Sequence, residues 1–132
     1  MKKHILLAED AEPTRVAYVA ILERAGYEVT AVEDGRKALS AMMLAQKGPK
    51  KVDLLITDIK MDGLDGLQLV DQLKKLQIHV PVMAITGYGD KTLVIELMRR
   101  GCNDYIEKPF ESVELLKAVA NLLRNVSTSV NS

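Results

Sequence analysis

The sequence has no tryptophan, one cysteine, and aromatics at only 4% of its 132 residues. So few rings leave little of the stacking surface by which single-stranded nucleic acid binders hold bases. The lone Cys102 has no intramolecular disulfide partner and cannot build a multi-thiolate zinc site. No Cys/His arrangement surrounds it, so it reads as a small buried residue. An excess of either charge is also missing: 18 Lys and Arg stand against 18 Asp and Glu. No net field draws the chain to DNA, RNA or anionic lipid, and direct nucleic acid binding is not expected. Long apolar runs are absent too. The N-terminus begins like a signal peptide, but its run from Ile5 to Ala8 is short and ends in Glu9-Asp10. Membrane insertion is therefore not expected, and a cytoplasmic location follows.

What the sequence does have is alternation. Short apolar runs recur at His4 to Ala8, Glu28 to Val32, Val52 to Thr57, Val80 to Ile85 and Asp104 to Ile106. Each is too short for a helix, and several are rich in Val and Ile, so five strands are predicted. Between them, apolar residues fall at three- and four-residue spacing: Ala17, Ile21, Leu22 and Ala25; Ala38, Leu39, Met42 and Met43; Leu69, Val70, Leu73 and Leu76. These predict helices. Pro13 suits a first helical turn, Gly26 a helix stop, and Asp34, Asp65 and Asp90 are read as N-caps. Phe110 and Leu115 suit a hydrophobic staple around the start of the last helix, with Glu114 in capping-box range. Strict β-α alternation with apolar strands implies a doubly wound α/β fold, a parallel sheet with helices on both faces. Residues 1–126 are read as one domain and 127–132 as a polar C-terminal tail. The loop Lys47 to Lys51 is read as a solvated connection. Met42, Met43 and Met83 are read as core filler.

The polar residues are placed less evenly. In an open parallel sheet, ligands bind outside the carboxyl ends of the strands. The first strand ends in Glu9-Asp10, the third in Asp58, the fourth in Thr86-Gly87 and the fifth in Lys108-Pro109. Singly, each has a structural reading: a helix cap, a turn, a strand-end hydroxyl, a solvated lysine. Jointly, at one edge, they read as a site. Three converging carboxylates need a cation, and an all-oxygen donor set without His or Cys favours Mg²⁺ over Zn²⁺ or Ca²⁺, with Mn²⁺ as the alternative. Asp58 beside that cation, with Lys108 as a second positive charge and the Thr86 hydroxyl as a donor, has the equipment for phosphoryl transfer to a carboxylate.

The segments LLAEDAEPTR around Glu9-Asp10, LLITDIKMDGLDG around Asp58, ITGYGD around Thr86 and DYIEKPF around Lys108 resemble, in order and over nearly the whole chain, the receiver domain of two-component response regulators. The resemblance implies a (βα)5 flavodoxin-like, CheY-like fold with strand order 2-1-3-4-5. It implies that Asp58 accepts phosphate from a phosphohistidine on a sensor histidine kinase or phosphotransfer protein. The domain would assist its own phosphorylation and dephosphorylation rather than act as an enzyme. Glu9, Asp10, Asp58 and the backbone carbonyl of Lys60 are expected to hold Mg²⁺. Thr86 and Tyr105 match the family's switch pair, and Lys108-Pro109 matches a bond that is usually cis. The surface of the fourth helix, fifth strand and fifth helix is the family's output face. There Val94, Met98 and Tyr105 are candidates for contact with a downstream protein or a second copy.

Asp62 stands where the family often has proline, and it is expected to bind solvent, compete for the cation or pair with Lys60. Lys60 and Tyr88, each two residues past a site residue, are expected to line the mouth and tune hydrolysis of the aspartyl phosphate. Leu93, Val94, Ile95, Leu97 and Met98 wrap around the fourth helix further than a core-facing stripe. That helix is either partly exposed as a partner surface or packed more deeply than average. The same fold without phosphorylation, an inert pseudo-receiver used as an interaction module, is the competing function. A metal-dependent phosphatase is disfavoured because Lys60 replaces the second carboxylate such an enzyme would need. Dinucleotide binding is disfavoured because acidic residues replace a glycine-rich turn after the first strand.

Overall fold

The computed structural model describes residues 2–131, with side chains as far as Arg124. Strands β1 (His4–Ala8), β2 (Glu28–Val32), β3 (Leu54–Asp58), β4 (Val82–Thr86) and β5 (Asp104–Glu107) alternate with helices α1 (Glu12–Arg24), α2 (Gly35–Lys47), α3 (Gly66–Lys75), α4 (Lys91–Arg99) and α5 (Ser112–Asn131). All pairings are parallel, and the order is β2-β1-β3-β4-β5, as expected. α5 continues through most of the segment read as a polar tail. No helix among the described residues is long and apolar enough to cross a membrane.

Successive strand residues point to opposite faces, and the central strands are apolar on both because helices cover both. Leu6, Ala8, Leu55 and Ala84 pack with Met42 of α2, Leu69 and Leu73 of α3 and Leu97 of α4. Ile5, Leu7, Leu54, Ile56, Met83 and Ile85 pack with Tyr18 and Leu22 of α1 and Leu115 and Val119 of α5. Most of these side chains are fully buried, and each large one stabilises the fold by about 1.5–3 kcal/mol.

Several local expectations need correction. β3 and β4 start two residues later than predicted, and Pro81 explains the second shift because it has no N–H to give to a ladder. Val82 N–H instead bonds the Asn103 side chain at 2.9 Å, while Asn103 N–H returns to the Val82 carbonyl at 2.9 Å. This double bond clamps the entrances of β4 and β5 together. In α1 the inward face is Tyr18 and Leu22, whereas Ala17 and Ala25 are exposed. Met42 and Met83 are core residues but Met43 lies on the surface. Lys51 is not simply solvated, since its ammonium reaches the Gln46 carbonyl at 3.1 Å at the end of α2. Cys102 is buried as expected, its thiol donating to the Asp104 carbonyl at 3.2 Å.

The helix starts explain how the site loops are held. Asp34 caps α2 through Lys37 N–H, and Asp65 forms a full capping box with Gln68 at the start of α3. Gly26, at φ +97°, ends α1 as expected. Asp90 sits at the α4 cap position but makes no capping bond. Gly66 is required by closeness: a Cβ there would lie 2.8 Å from the Asp58 carbonyl oxygen and 2.9 Å from the Ile59 Cα. Gly66→Ala is expected to push β3 and α3 apart and cost about 1–3 kcal/mol. Urea unfolding checks this, and a loss within experimental error would show that the loop yields freely.

Candidate functional site

The carboxyl ends of β1, β3, β4 and β5 bring Glu9, Asp58, Thr86 and Lys108 to one edge. Parallel register does this: Asp58 lies opposite Ile85, the residue before Thr86, and Thr86 lies opposite Glu107, the residue before Lys108. Glu9 N–H bonds the Val32 carbonyl at 3.0 Å, which extends the β1–β2 ladder by one bond and carries Glu9 into the same edge. A carboxylate oxygen from each of Glu9, Asp10 and Asp58 lies within 4.8 Å of the others.

The three differ in surroundings. Asp10 is exposed and Asp58 half-buried, but Glu9 is only 1% exposed. Its Oε2 accepts Ala11 N–H at 3.0 Å, while its buried Oε1 has no hydrogen-bond partner among the described residues. The Lys108 ammonium stands 3.2 Å from Asp58 Oδ2 and 3.7 Å from Glu9 Oε1, so one cation faces two carboxylates. Burial, reinforced by the neighbouring Asp58, pushes the Glu9 carboxyl up to about 7 against the opposing pull of Ala11 N–H and Lys108. Burial alone would lower Lys108, but attraction to Asp58 and then Glu9 outweighs it and holds the ammonium above its usual range.

An orphaned, desolvated carboxylate oxygen beside two more carboxylates, all hard oxygen donors, fits a divalent cation such as Mg²⁺. Asp62 is outside that cluster, and Lys60 pairs with Asp90 at 3.1 Å rather than with Asp62. Asp62 is exposed and lines an open groove with Asp10, Lys60 and Asp65. Lys60 N–H donates to Asp58 Oδ1 at 3.3 Å, and Tyr88 is almost fully exposed.

Thr86 is buried, and its hydroxyl donates to the Ile106 carbonyl at 3.4 Å. The Tyr105 ring is 45% exposed. A cavity of about 250 Å³ between α4 and β5 is lined by Thr86, Gly87, Asp90, Val94, Ile95 and Tyr105. Ile95 and Met98 are 55% and 40% exposed, so the apolar wrap of α4 reflects exposure rather than deep packing. The Lys108–Pro109 bond is cis.

Two positioning contacts escaped the sequence reading. Arg15 Nη1 donates to the Glu9 carbonyl at 2.9 Å, anchoring the acidic turn from α1. Its place five residues after Asp10, in the opening turns of that helix, was the available signal. The Asp90 carboxylate accepts Gly87 N–H at 2.7 Å, and that bond, followed by Lys60, holds its carboxyl below the usual range.

The sequence profile of the response regulator receiver domain matches residues 5–120. The chain belongs to that family. Receiver domains are the signal-accepting part of two-component response regulators, which pair with histidine kinases and phosphotransfer proteins. Among similar proteins, the transcriptional regulatory protein FixJ of Bradyrhizobium diazoefficiens is 31% identical over 99% of this chain and 62% of its own length. The response regulator FleR of Pseudomonas aeruginosa is 38% identical over 91% of this chain and 24% of its own. This receiver thus spans under two thirds of either relative. The crystal structure of the receiver domain of a LuxO-type repressor from Vibrio parahaemolyticus superposes with a TM-score of 0.87 at 25% identity, covering 98% of this chain and 95% of that one. The FixJ-N crystal structure superposes at 0.83 with 28% identity, covering 94% and 95%.

Glu9 has a stability consequence in this receiver. Its folded-state value lies above the unfolded one, so its contribution is most favourable at low pH and is lost as pH rises through about 7. In EDTA, Glu9→Gln removes that loss. The variant is expected to gain about 1–3 kcal/mol over the parent between pH 5 and pH 8, with Mg²⁺ narrowing the difference. Denaturation midpoints across that range check it, and a difference independent of pH would contradict the buried-charge account.

Proposed function

We propose that Asp58 is the phosphoacceptor. An Asp58 oxygen attacks the phosphorus of a phosphohistidine on a sensor kinase or phosphotransfer protein; the new O–P bond forms as the P–N bond breaks, and the imidazole leaves with its electron pair. The observation that carries this reading is the pair of contacts on the Asp58 carboxylate, Lys108 Nζ at 3.2 Å and Lys60 N–H at 3.3 Å, beside a Glu9 Oε1 that has no hydrogen bond among the described residues. Lys108 orients the carboxylate and offers positive charge to the incoming phosphoryl oxygens. Glu9, Asp10, Asp58 and the Lys60 carbonyl would hold Mg²⁺, with Mn²⁺ as a substitute. When bound, the ion supplies charge neutralisation at the phosphoryl group.

After transfer, the Thr86 hydroxyl exchanges its Ile106 carbonyl for a phosphoryl oxygen, and Tyr105 turns inward. The face carrying Val94, Met98 and Tyr105 then engages a downstream protein or a second copy. Exposed apolar side chains on α4 support that use. Lys60 and Tyr88 tune hydrolysis from the mouth of the site.

Intact mass after incubation with Mg²⁺ and a small-molecule phosphodonor tests the chemistry. The parent is expected to gain one phosphoryl group, and Asp58→Ala or omission of Mg²⁺ to abolish the gain. No gain by the folded parent, with Mg²⁺ binding demonstrated, would favour an inert interaction module. Replacing Lys60 and Tyr88 together is expected to change the phosphate lifetime several-fold, well short of the roughly 10²–10⁴-fold of a fully positioned acid–base group because both side chains are largely in water. An unchanged lifetime removes both from the hydrolytic path.

A further inference from the structure

A continuous set of contacts runs from the phosphoacceptor to the first turn of α4. Lys60 N–H is bonded to Asp58 Oδ1 at 3.3 Å. The Lys60 side chain then reaches Asp90, with Nζ 3.1 Å from Oδ1. Asp90 Oδ2 in turn accepts the N–H of Gly87, the residue after Thr86, at 2.7 Å. Asp90 is only 7% exposed, although Lys60 is 71% exposed. Both carboxylate oxygens are thereby occupied away from the helix. Yet Asp90 stands at the N-cap position of α4, where an aspartate ordinarily accepts an N–H from the first turn, and it makes no such bond.

The residue therefore has two competing uses for one carboxylate. In the first it serves Gly87 and Lys60; in the second it would cap the Thr92 or Leu93 N–H. The first use rests on the Gly87 N–H bond at 2.7 Å with Lys60 adding a smaller share, because an ion pair with one partner largely in water contributes little; the second is worth about 1 kcal/mol. A phosphoryl dianion on Asp58 changes the balance, because it competes for the Lys60 ammonium with up to twice the charge of Asp90.

We propose that Asp90 is a latch coupling Asp58 to α4: at rest it is held by Lys60 and Gly87, and phosphorylation withdraws Lys60 so that the carboxylate turns to cap the helix. This rests on Asp58 being the phosphoacceptor and adds the route by which its charge reaches the output helix. Asp90 is a positioning residue here, not one that touches the phosphoryl group. The bistable element is the first turn of α4, uncapped in one state and capped in the other.

Hydrogen exchange of the Thr92 and Leu93 amides reads the state of the cap directly. In the unphosphorylated protein, Lys60→Met is expected to slow exchange at both amides about two- to five-fold, and adding Asp90→Ala to abolish that slowing. With Mg²⁺ and a small-molecule phosphodonor present throughout, phosphorylated wild type is expected to show about a five-fold slowing that Asp90→Ala lacks. Asp90→Asn, which keeps a cap acceptor but loses the charge that holds Lys60, should resemble Lys60→Met and serves if the alanine variant does not fold. Intact mass is read on the same samples. A wild type that gains no phosphoryl mass overturns the reading of Asp58 and the coupling with it. A phosphorylated wild type with unchanged Thr92 and Leu93 rates, or with the same slowing in folded Asp90→Ala, overturns the coupling alone.

Discussion

Repulsion among carboxylates gathered at one end of a buried sheet is the constraint on which the site depends. Glu9, Asp10 and Asp58 are brought within reach of one another by parallel register, and nothing in that register offsets their charge. Lys108 supplies the offset from the far side, across β4, and it stands near two of the three at once. One ammonium cannot satisfy three carboxylates, and Glu9 Oε1, 3.7 Å from Lys108 and without a hydrogen bond among the described residues, is where the deficit shows. The domain folds with its anionic end under-compensated. That condition suits a divalent cation, which a fully neutralised site would have no reason to bind.

The two faces of the sheet divide the work. Tyr18, Leu22, Leu115 and Val119 of α1 and α5 are buried against one face, and Tyr18 also stacks near Phe110 with ring centroids 5.5 Å apart. On the other face α4 contributes a single fully buried side chain, Leu97, and leaves Ile95 and Met98 outside. An element with little buried apolar area opens at low cost, which is a property of parts that move. The cavity beneath its first turns is lined by both Thr86 and Tyr105.

Much of this was legible from residue order. Five short apolar runs at regular intervals read as strands, and the positions of Glu9, Asp58, Thr86 and Lys108 after four of them implied the shared sheet edge at which they stand. The misreadings share a cause. Ala17 and Ala25 fit the helical period as well as Tyr18 does, and size rather than spacing decided which face turned inward. Met43 followed a core methionine in sequence and fell outside it in space. Asp90 carried a sound local signal for capping, but Lys60, thirty residues earlier, and the Gly87 amide claimed its carboxylate. Propensity describes what a residue can do alone; a tertiary partner decides which of its options is used.

The paired hydrogen bonds between Val82 and Asn103 sit at the entrances of β4 and β5, at the opposite end of the sheet from Asp58. Cys102 adds its thiol to the same end, donating to the Val82 and Asp104 carbonyls. The ladder also closes at the other end, where Thr86 lies opposite Glu107 and Lys108 N–H donates to the Thr86 carbonyl at 2.8 Å. β5 is thus stapled to β4 at both ends, with Tyr105 between the staples. A rearrangement of the Tyr105 side chain then leaves the strand's register intact, and the edge of the sheet works as a fixed frame around a side chain that can turn.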